Sequence, residues 1–249
     1  MTVILELQQV SKSFGALLVC NRINLQLETG VALGILGPNG AGKTTLMNLI
    51  SGDLRLSSGR VIFQGQDISS ISASKRCRMG ISRTSQIPRP FIGMTVFENV
   101  LVGAMYGSKR AHHHEICHDV LQLTGLLDRW NVLAGDLRLL ERKRLELARA
   151  LATNPSLLLL DEIAGGLTDH EVTDLLEIIA TIRARGITII WIEHIVHALI
   201  SSVDRILAIN FGTKLAEGNP QDIINSEAFK EIYFGVESIR LESTERPST

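Results

Sequence analysis

A glycine-rich octapeptide, Gly37-Pro38-Asn39-Gly40-Ala41-Gly42-Lys43-Thr44, is the part of this chain whose residue types and spacing specify chemistry most directly. Its pattern is G-x-x-x-x-G-K-[ST]. Glycines let such a loop wrap until its backbone N–H groups point inward at phosphate oxygens. Gly37, Asn39, Gly40, Ala41 and Gly42 are therefore read as a cradle, continued by Thr45 in the helix that follows. That helix would direct its positive end at the same oxygens. Lys43 would add a point charge at the β- and γ-phosphates, and the Thr44 hydroxyl would ligate Mg²⁺. An acidic pair, Asp161 and Glu162, closes the apolar run 157–160. A carboxylate at the C-terminal end of a parallel strand stands where open α/β sheets bind ligands. Asp161 is read as a Mg²⁺ ligand, directly or through water, and Glu162 as the general base that polarises an attacking water.

The elements needed to position these groups are visible in the hydrophobic pattern. Residues 4–8 and 23–27 alternate as half-buried strands do. Residues 31–36 form a near-continuous apolar run, as expected of a parallel strand covered on both faces, and they feed the cradle. A helical stretch then ends at Gly52. Short strands are expected at 60–64 and 81–85. Pro88 and Pro90 mark a break, after which 95–104, 111–123 and 141–152 have helical periodicity. The strand 157–161, a helix carrying Val172, Leu175, Leu176, Ile179 and Ile182, and strands at 187–192 and 205–209 complete the pattern. The polar stretch 237–249 reads as a disordered tail.

Composition narrows the function classes. The 249 residues carry 25 Lys+Arg against 26 Asp+Glu, which argues against binding nucleic acid through bulk positive charge. Mean hydropathy is +0.19, high for a soluble protein. Yet the most apolar stretches fall far short of the roughly 20 residues that a membrane span needs. The N-terminal MTVILELQQV has no basic region or small-residue cleavage site of the secretory type. Cys20, Cys77 and Cys117, without a CxxC, read as reduced thiols in a cytosolic protein.

With these motifs in this order, the chain resembles the ATP-binding subunits of ABC transporters from Leu5 to about Gly235. The resemblance implies an α/β P-loop NTPase core with an antiparallel β subdomain and an inserted helical subdomain. Residues 1–236 would form the ATP-binding domain, with 1–86 and 152–236 as the core and 87–151 as the helical insertion. It also implies roles that spacing alone does not. Phe14 would stack on adenine. Gln86, in Arg83-Thr84-Ser85-Gln86, would ligate Mg²⁺ and link the core to the helical subdomain. His194 would contact the γ-phosphate. ATP and Mg²⁺ are the implied ligands. The segments RTSQIPRPFIGMTVFENV, RLELARALATNPSLLLLDE and GTKLAEGNPQDIINSEAFKEIYFG look more specifically like the ATPases of branched-chain amino acid uptake. Lipopolysaccharide-export ATPases share several of these features. The helical region near 107–112 is shorter than the branched-chain amino acid uptake subgroup leads one to expect. Expected partners are a second ABC ATPase, transmembrane permeases and, indirectly, a solute-binding protein, at the cytoplasmic face of the inner membrane. A soluble ABC ATPase usually carries long insertions or tandem cassettes, and this single cassette favours transport.

The sequence departs from the family at its signature. Where LSGGQ is expected stand Leu137, Arg138, Leu139, Leu140 and Glu141. In the family the serine hydroxyl and glycine N–H groups of this segment meet the γ-phosphate held by the other subunit. Arg138 offers no hydroxyl, although backbone N–H donors survive any side-chain change. Ile163 stands where proline is usual. In the inter-subunit loop Gly165-Gly166-Leu167-Thr168, threonine replaces Asp or Asn but still offers a hydroxyl. The expectation is a heterodimer with one fully competent site, or a nucleotide-gated subunit with weak intrinsic hydrolysis.

Two further patterns carry less. His114-Glu115-Ile116-Cys117-His118 matches H-E-x-x-H and puts two histidines on one helix face. It has no obvious third ligand, and a solvated face is the default reading of the 112–118 cluster. The charge run 141–144 is likewise read as a solvated face.

Overall fold

The computed structural model describes residues 2–107, 112–227 and 229–230. Two twelve-residue strands, β1 (Val3–Phe14) and β2 (Leu17–Glu28), form a long hairpin. It joins β4 (Ser58–Phe63) and β5 (Gln66–Asp67) in an antiparallel sheet of order β2-β1-β4-β5. The sequence pattern captures only the first half of β1 and the last half of β2. Gln9 and Arg22 have φ of +50°, and the pairing shifts register beside them. Such bulges break the two-residue alternation on which strand recognition depends. Asn24 Oδ1 stabilises the irregularity by accepting the Gln9 N–H at 2.9 Å.

The larger sheet has order β10-β9-β3-β8-β7-β6. Its strands are β3 (Ala32–Leu36), β6 (Ile81–Arg83), β7 (Leu157–Asp161), β8 (Thr188–Ile192), β9 (Arg205–Asn210) and β10 (Thr213–Gly218). All neighbours are parallel except β10, which returns antiparallel along β9. The apolar runs are explained by their surroundings. Leu158, Leu160, Ile189 and Trp191 point into one core, while Leu157, Leu159, Ile190 and Ile192 point into the other. Every residue of β3, β7 and β8 is buried. A parallel strand sealed on both faces has no polar side.

Helix α1 (Lys43–Ser51) packs in the core between the two sheets. Helices α3 (Val96–Gly107), α4 (His113–Leu123) and α5 (Leu139–Ala152) pack together and share the other core with α6 (Asp169–Ala184). None of the helices among the described residues is long and apolar enough to cross a membrane. The tail expected at 237–249 lies outside the described residues.

Short elements escaped the pattern. Helix α2 (Ala73–Met79) has no apolar stripe. Its anchor is Arg76, 1% exposed, whose guanidinium donates to the carbonyls of Leu49, Ile50, Ile68, Ser69 and Ile71. A buried cation satisfied by carbonyls holds the element that hydrophobicity elsewhere would hold. Helices α7 (Val196–Ser202) and α8 (Pro220–Asn225) are also short.

The solvated-face reading of 141–144 is corrected. Lys143 is 6% exposed. Arg142 donates to Leu137 O and Gly135 O, each at 2.8 Å, and Arg144 pairs with Asp174 at 3.1 Å. Helix α5 is covered on nearly every side, so its charges are internal fastenings. In the 112–118 cluster the His114 ring lies 5.3 Å from that of Phe97, and His112 faces Glu115 at 3.5 Å. No group of three or more metal-ligating side chains occurs among the described residues.

Candidate active site

The glycine-rich loop leaves the end of β3 and turns into α1. Gly40 and Gly42 have φ of +80° and +100°, a region that L side chains rarely enter. A Cβ on Gly42 would fall 2.6 Å from Val19 O, and one on Gly37 would fall 2.2 Å from Ile209 O. The loop is thus pressed against β2 and β9, and only glycine allows that approach. No side chain caps α1, and its first turn carries no acidic residue. Its N-terminal N–H groups and positive dipole end remain available to an anion. Ala41, like Lys43, is buried in the loop; Thr45 is half-buried, while Asn39 is exposed at its rim.

Lys43 folds back over this loop. Its Nζ donates to Gly37 O at 2.7 Å and Pro38 O at 3.0 Å. Burial pulls its pKa below the ordinary lysine range, and the carboxylates of Glu162 and Asp161 oppose that pull. The ammonium therefore stands in a partly desolvated place already balanced by two acids.

Thr44, Gln86 and Asp161 line one cavity of about 560 Å³, together with Arg83. Asp161, at the end of β7, is 1% exposed. Its Oδ2 accepts from Arg83 Nη2 at 2.6 Å. Arg83 in turn holds Asn48 and, at 3.2 Å, Asp53. The other oxygen, Asp161 Oδ1, is buried without a hydrogen-bond partner. An unpaired buried carboxylate oxygen beside a threonine hydroxyl and an amide is a donor set that suits a hard divalent cation.

Glu162 begins the loop after β7 with φ of +49°, and its N–H donates to Ile192 O at 2.9 Å. Both carboxylate oxygens are engaged. Oε2 accepts from Gln86 Nε2, and Oε1 faces His194 Nε2 at 2.7 Å. Three residues far apart in sequence are thus brought into one hydrogen-bonded set.

Beneath it, Glu193 is 1% exposed and accepts the N–H groups of Ala164 at 3.0 Å and His194 at 3.2 Å. Burial pushes its carboxyl above the ordinary range. Lys143 Nζ reaches Glu162 O at 3.4 Å. Burial lowers the pKa of Lys143, while Glu193 and Glu162 oppose that shift. Arg83 and Glu193 were not singled out from the sequence, and Lys143 was read only as part of the solvated run 141–144. The signal for Arg83 was its place three residues before Gln86. Glu193 was visible only as a charge closing an apolar strand.

Phe14 is 48% exposed, so its ring is not core. It ends β1, on the hairpin whose Val19 and Cys20 touch Gly42, and Lys12 Nζ sits 4.9 Å from its centroid. The segment 137–141 opens α5. Arg138 is its N-cap, and Glu141 accepts the Arg138 N–H at 2.9 Å while pairing with Arg129 at 3.2 Å. Leu137 is buried, Leu140 half-buried and Leu139 46% exposed. A Cβ on Gly166 would lie 3.5 Å from Leu139, so the segment adjoins the loop 165–168 of its own chain. Gly165 is exposed there, and Leu167 packs on the core. The Thr168 hydroxyl donates to Glu171 at 2.8 Å and accepts the Glu171 N–H at 3.4 Å as the cap of α6.

Residues 20–165 match the ABC transporter family. The probable branched-chain amino acid transport ATP-binding protein LivG of Archaeoglobus fulgidus is 32% identical over 96% of this chain and 98% of its own. The high-affinity branched-chain amino acid transport ATP-binding protein LivG of Escherichia coli is 36% identical over 89% and 94%. The lipopolysaccharide export system ATP-binding protein LptB of Acidithiobacillus ferridurans is 32% identical over 94% and 98%. A nucleotide-free ATP-binding cassette from an ABC transporter superposes with a TM-score of 0.87 at 29% identity, covering 94% of this chain and all of that one.

Proposed function

The chain belongs to the ABC transporter family as one of its ATP-binding, ATP-hydrolysing subunits, and from that premise we propose that its hydrolysis energises import of branched-chain amino acids. The LivG likenesses support that solute class, with lipopolysaccharide export as the second reading because LptB is similar at a comparable level. Transmembrane permeases and a second ABC ATPase are the proposed direct partners. A solute-binding protein acts at one remove, and the subunit sits peripherally on the cytoplasmic face of the membrane.

The observation that carries the catalytic reading is Glu162 held between Gln86 and His194, one residue beyond Asp161. In this reading Phe14 stacks on adenine, and Lys43 with the α1 N–H groups binds the phosphates. Thr44, Gln86 and Asp161 would hold Mg²⁺, which when bound would supply charge neutralisation for the phosphates. Glu162 accepts the proton of the attacking water. Gln86 and His194 aim its carboxylate.

The segment 137–141 shapes the assembly. It supplies N–H donors from a helix N-terminus but no hydroxyl, so a cradle facing it is less well served than one facing a serine. A heterodimer then has one fully competent site, formed by this chain's cradle and the partner's signature. Hydrolysis by the purified chain, compared with Glu162→Gln, tests the reading. Mg-ATP binding retained by both, with turnover only in the parent, upholds it. Absence of binding overturns it. Brisk cooperative hydrolysis by the isolated homodimer overturns the one-competent-site assembly.

A further inference from the structure

Helix α5 carries a charged stripe that the catalytic reading does not use. Lys143, Glu146 and Arg149 recur every three residues, so they lie along one oblique face. Each ends on backbone that flanks a site residue. Lys143 Nζ meets the carbonyl of Glu162 at 3.4 Å. Glu146 Oε1 accepts the N–H of Ser85, the residue before Gln86, at 3.3 Å. Arg149 Nη1 donates to Arg89 O at 2.8 Å, three residues after Gln86, and to Glu146 at 3.1 Å. Its guanidinium also covers the Phe91 ring at 4.8 Å.

Lys143 and Glu146 are 6% and 9% exposed. Burying such charges costs desolvation that leucine at the same places would not incur. Their contacts fall on main chain around Gln86 and Glu162. Those two residues are themselves joined by a side-chain hydrogen bond. The N-terminus of the same helix is the segment 137–141.

We propose that Lys143, Glu146 and Arg149 are positioning residues that fasten the backbone around Gln86 and Glu162 to α5. The catalytic consequence rests on the function proposed above; the fastening itself does not.

Amide hydrogen exchange on the full, nucleotide-free chain tests the fastening. Arg149→Met should speed exchange across residues 84–92 by about tenfold and leave α1 unchanged. Glu146→Gln, which keeps the side-chain shape, decides the point if Arg149→Met does not fold. Unchanged exchange at 84–92 in a folded variant overturns the proposal. Turnover gives the second readout. Either variant should lower kcat by about tenfold to a hundredfold with KM for ATP unchanged. Adding it to Gln86→Ala should lower kcat no further, because both act on one contact. Fully additive losses overturn the proposal. A parent chain that binds no ATP sinks the function and leaves the exchange result to judge the fastening.

Discussion

Glu162 and His194 face each other at 2.7 Å across the ends of two neighbouring strands. The register makes this unavoidable, since Asp161 on β7 pairs with Ile192 on β8. Glu162 is one residue past that rung and His194 two. The backbone at Glu162 is left-handed, with φ of +49°. Such a conformation in a residue other than glycine costs of order 1–3 kcal/mol and persists where the surroundings enforce it.

This pairing predicts separable effects. Glu162→Gln should keep Mg-ATP affinity and lower single-turnover hydrolysis by about 10² to 10⁴-fold, the range for loss of a general base. His194→Ala should cost less, because it removes one of two groups that aim the carboxylate. Rapid-quench measurement with equilibrium nucleotide binding distinguishes the two. Equal losses in both variants would mean that His194 does more than aim.

Arg83 and Asp161 predict a stability effect. Asp161 is buried with Arg83 as its cationic partner at 2.6 Å. Arg83→Met would strand a buried carboxylate, which costs about 3 kcal/mol or more. Urea unfolding in metal-free buffer should show that loss. Millimolar Mg²⁺ should return part of it, because a cation at the orphaned Oδ1 replaces some of the missing charge. An unfolding midpoint equal to that of the parent would remove Arg83 from this role.

Much of this site was legible because its signals are local. The glycine loop, the strand ending in Asp161 and the apolar run before His194 each announce themselves within a dozen residues. The sheet core was legible too, since strands buried on both faces have no polar side to blur the run. What escaped depends on distant partners. Helix α2 is held by Arg76 reaching carbonyls on α1. The burial of Lys143 depends on which elements surround α5. The Thr168 hydroxyl, read from sequence as free for another subunit, already caps α6 through Glu171. The full length of β1 and β2 was hidden by bulges that break alternation.

Glu193 predicts a pH dependence. Its folded pKa is raised by burial, an effect only partly offset by the N–H groups of Ala164 and His194. Between the unfolded and folded pKa values the native state therefore holds more protons than the unfolded one. Stability falls as pH rises through that window, and the cost persists above it. Lys143 and Glu162 are charges that act on this carboxylate. Glu193→Gln removes the titration and keeps acceptor capacity for one N–H. Its unfolding free energy should fall less from about pH 4.5 upward than that of the parent. Parallel curves for parent and variant would show that Glu193 is not the group responsible.

Arg138 offers the sharpest test of the altered signature. It occupies the N-cap of α5 with extended backbone, and Glu141 already accepts its N–H. The reciprocal half of that arrangement needs a side-chain acceptor at the cap, and guanidinium has none. Arg138→Ser would complete it, since serine can accept the Glu141 N–H. The gain should be about 0.5–2 kcal/mol, the usual worth of a cap, readable as a raised unfolding midpoint. The same hydroxyl would return to the segment the donor that the family presents to phosphate. If its absence limits the isolated chain, ATP turnover should rise with nucleotide affinity unchanged. A raised midpoint with unchanged turnover would shift the blame to Leu139 and Leu140. Their bulk sits where the family places glycine, and Leu139 already lies against Gly166. Replacing these two with glycine in the Arg138→Ser background should then raise turnover where the hydroxyl alone did not.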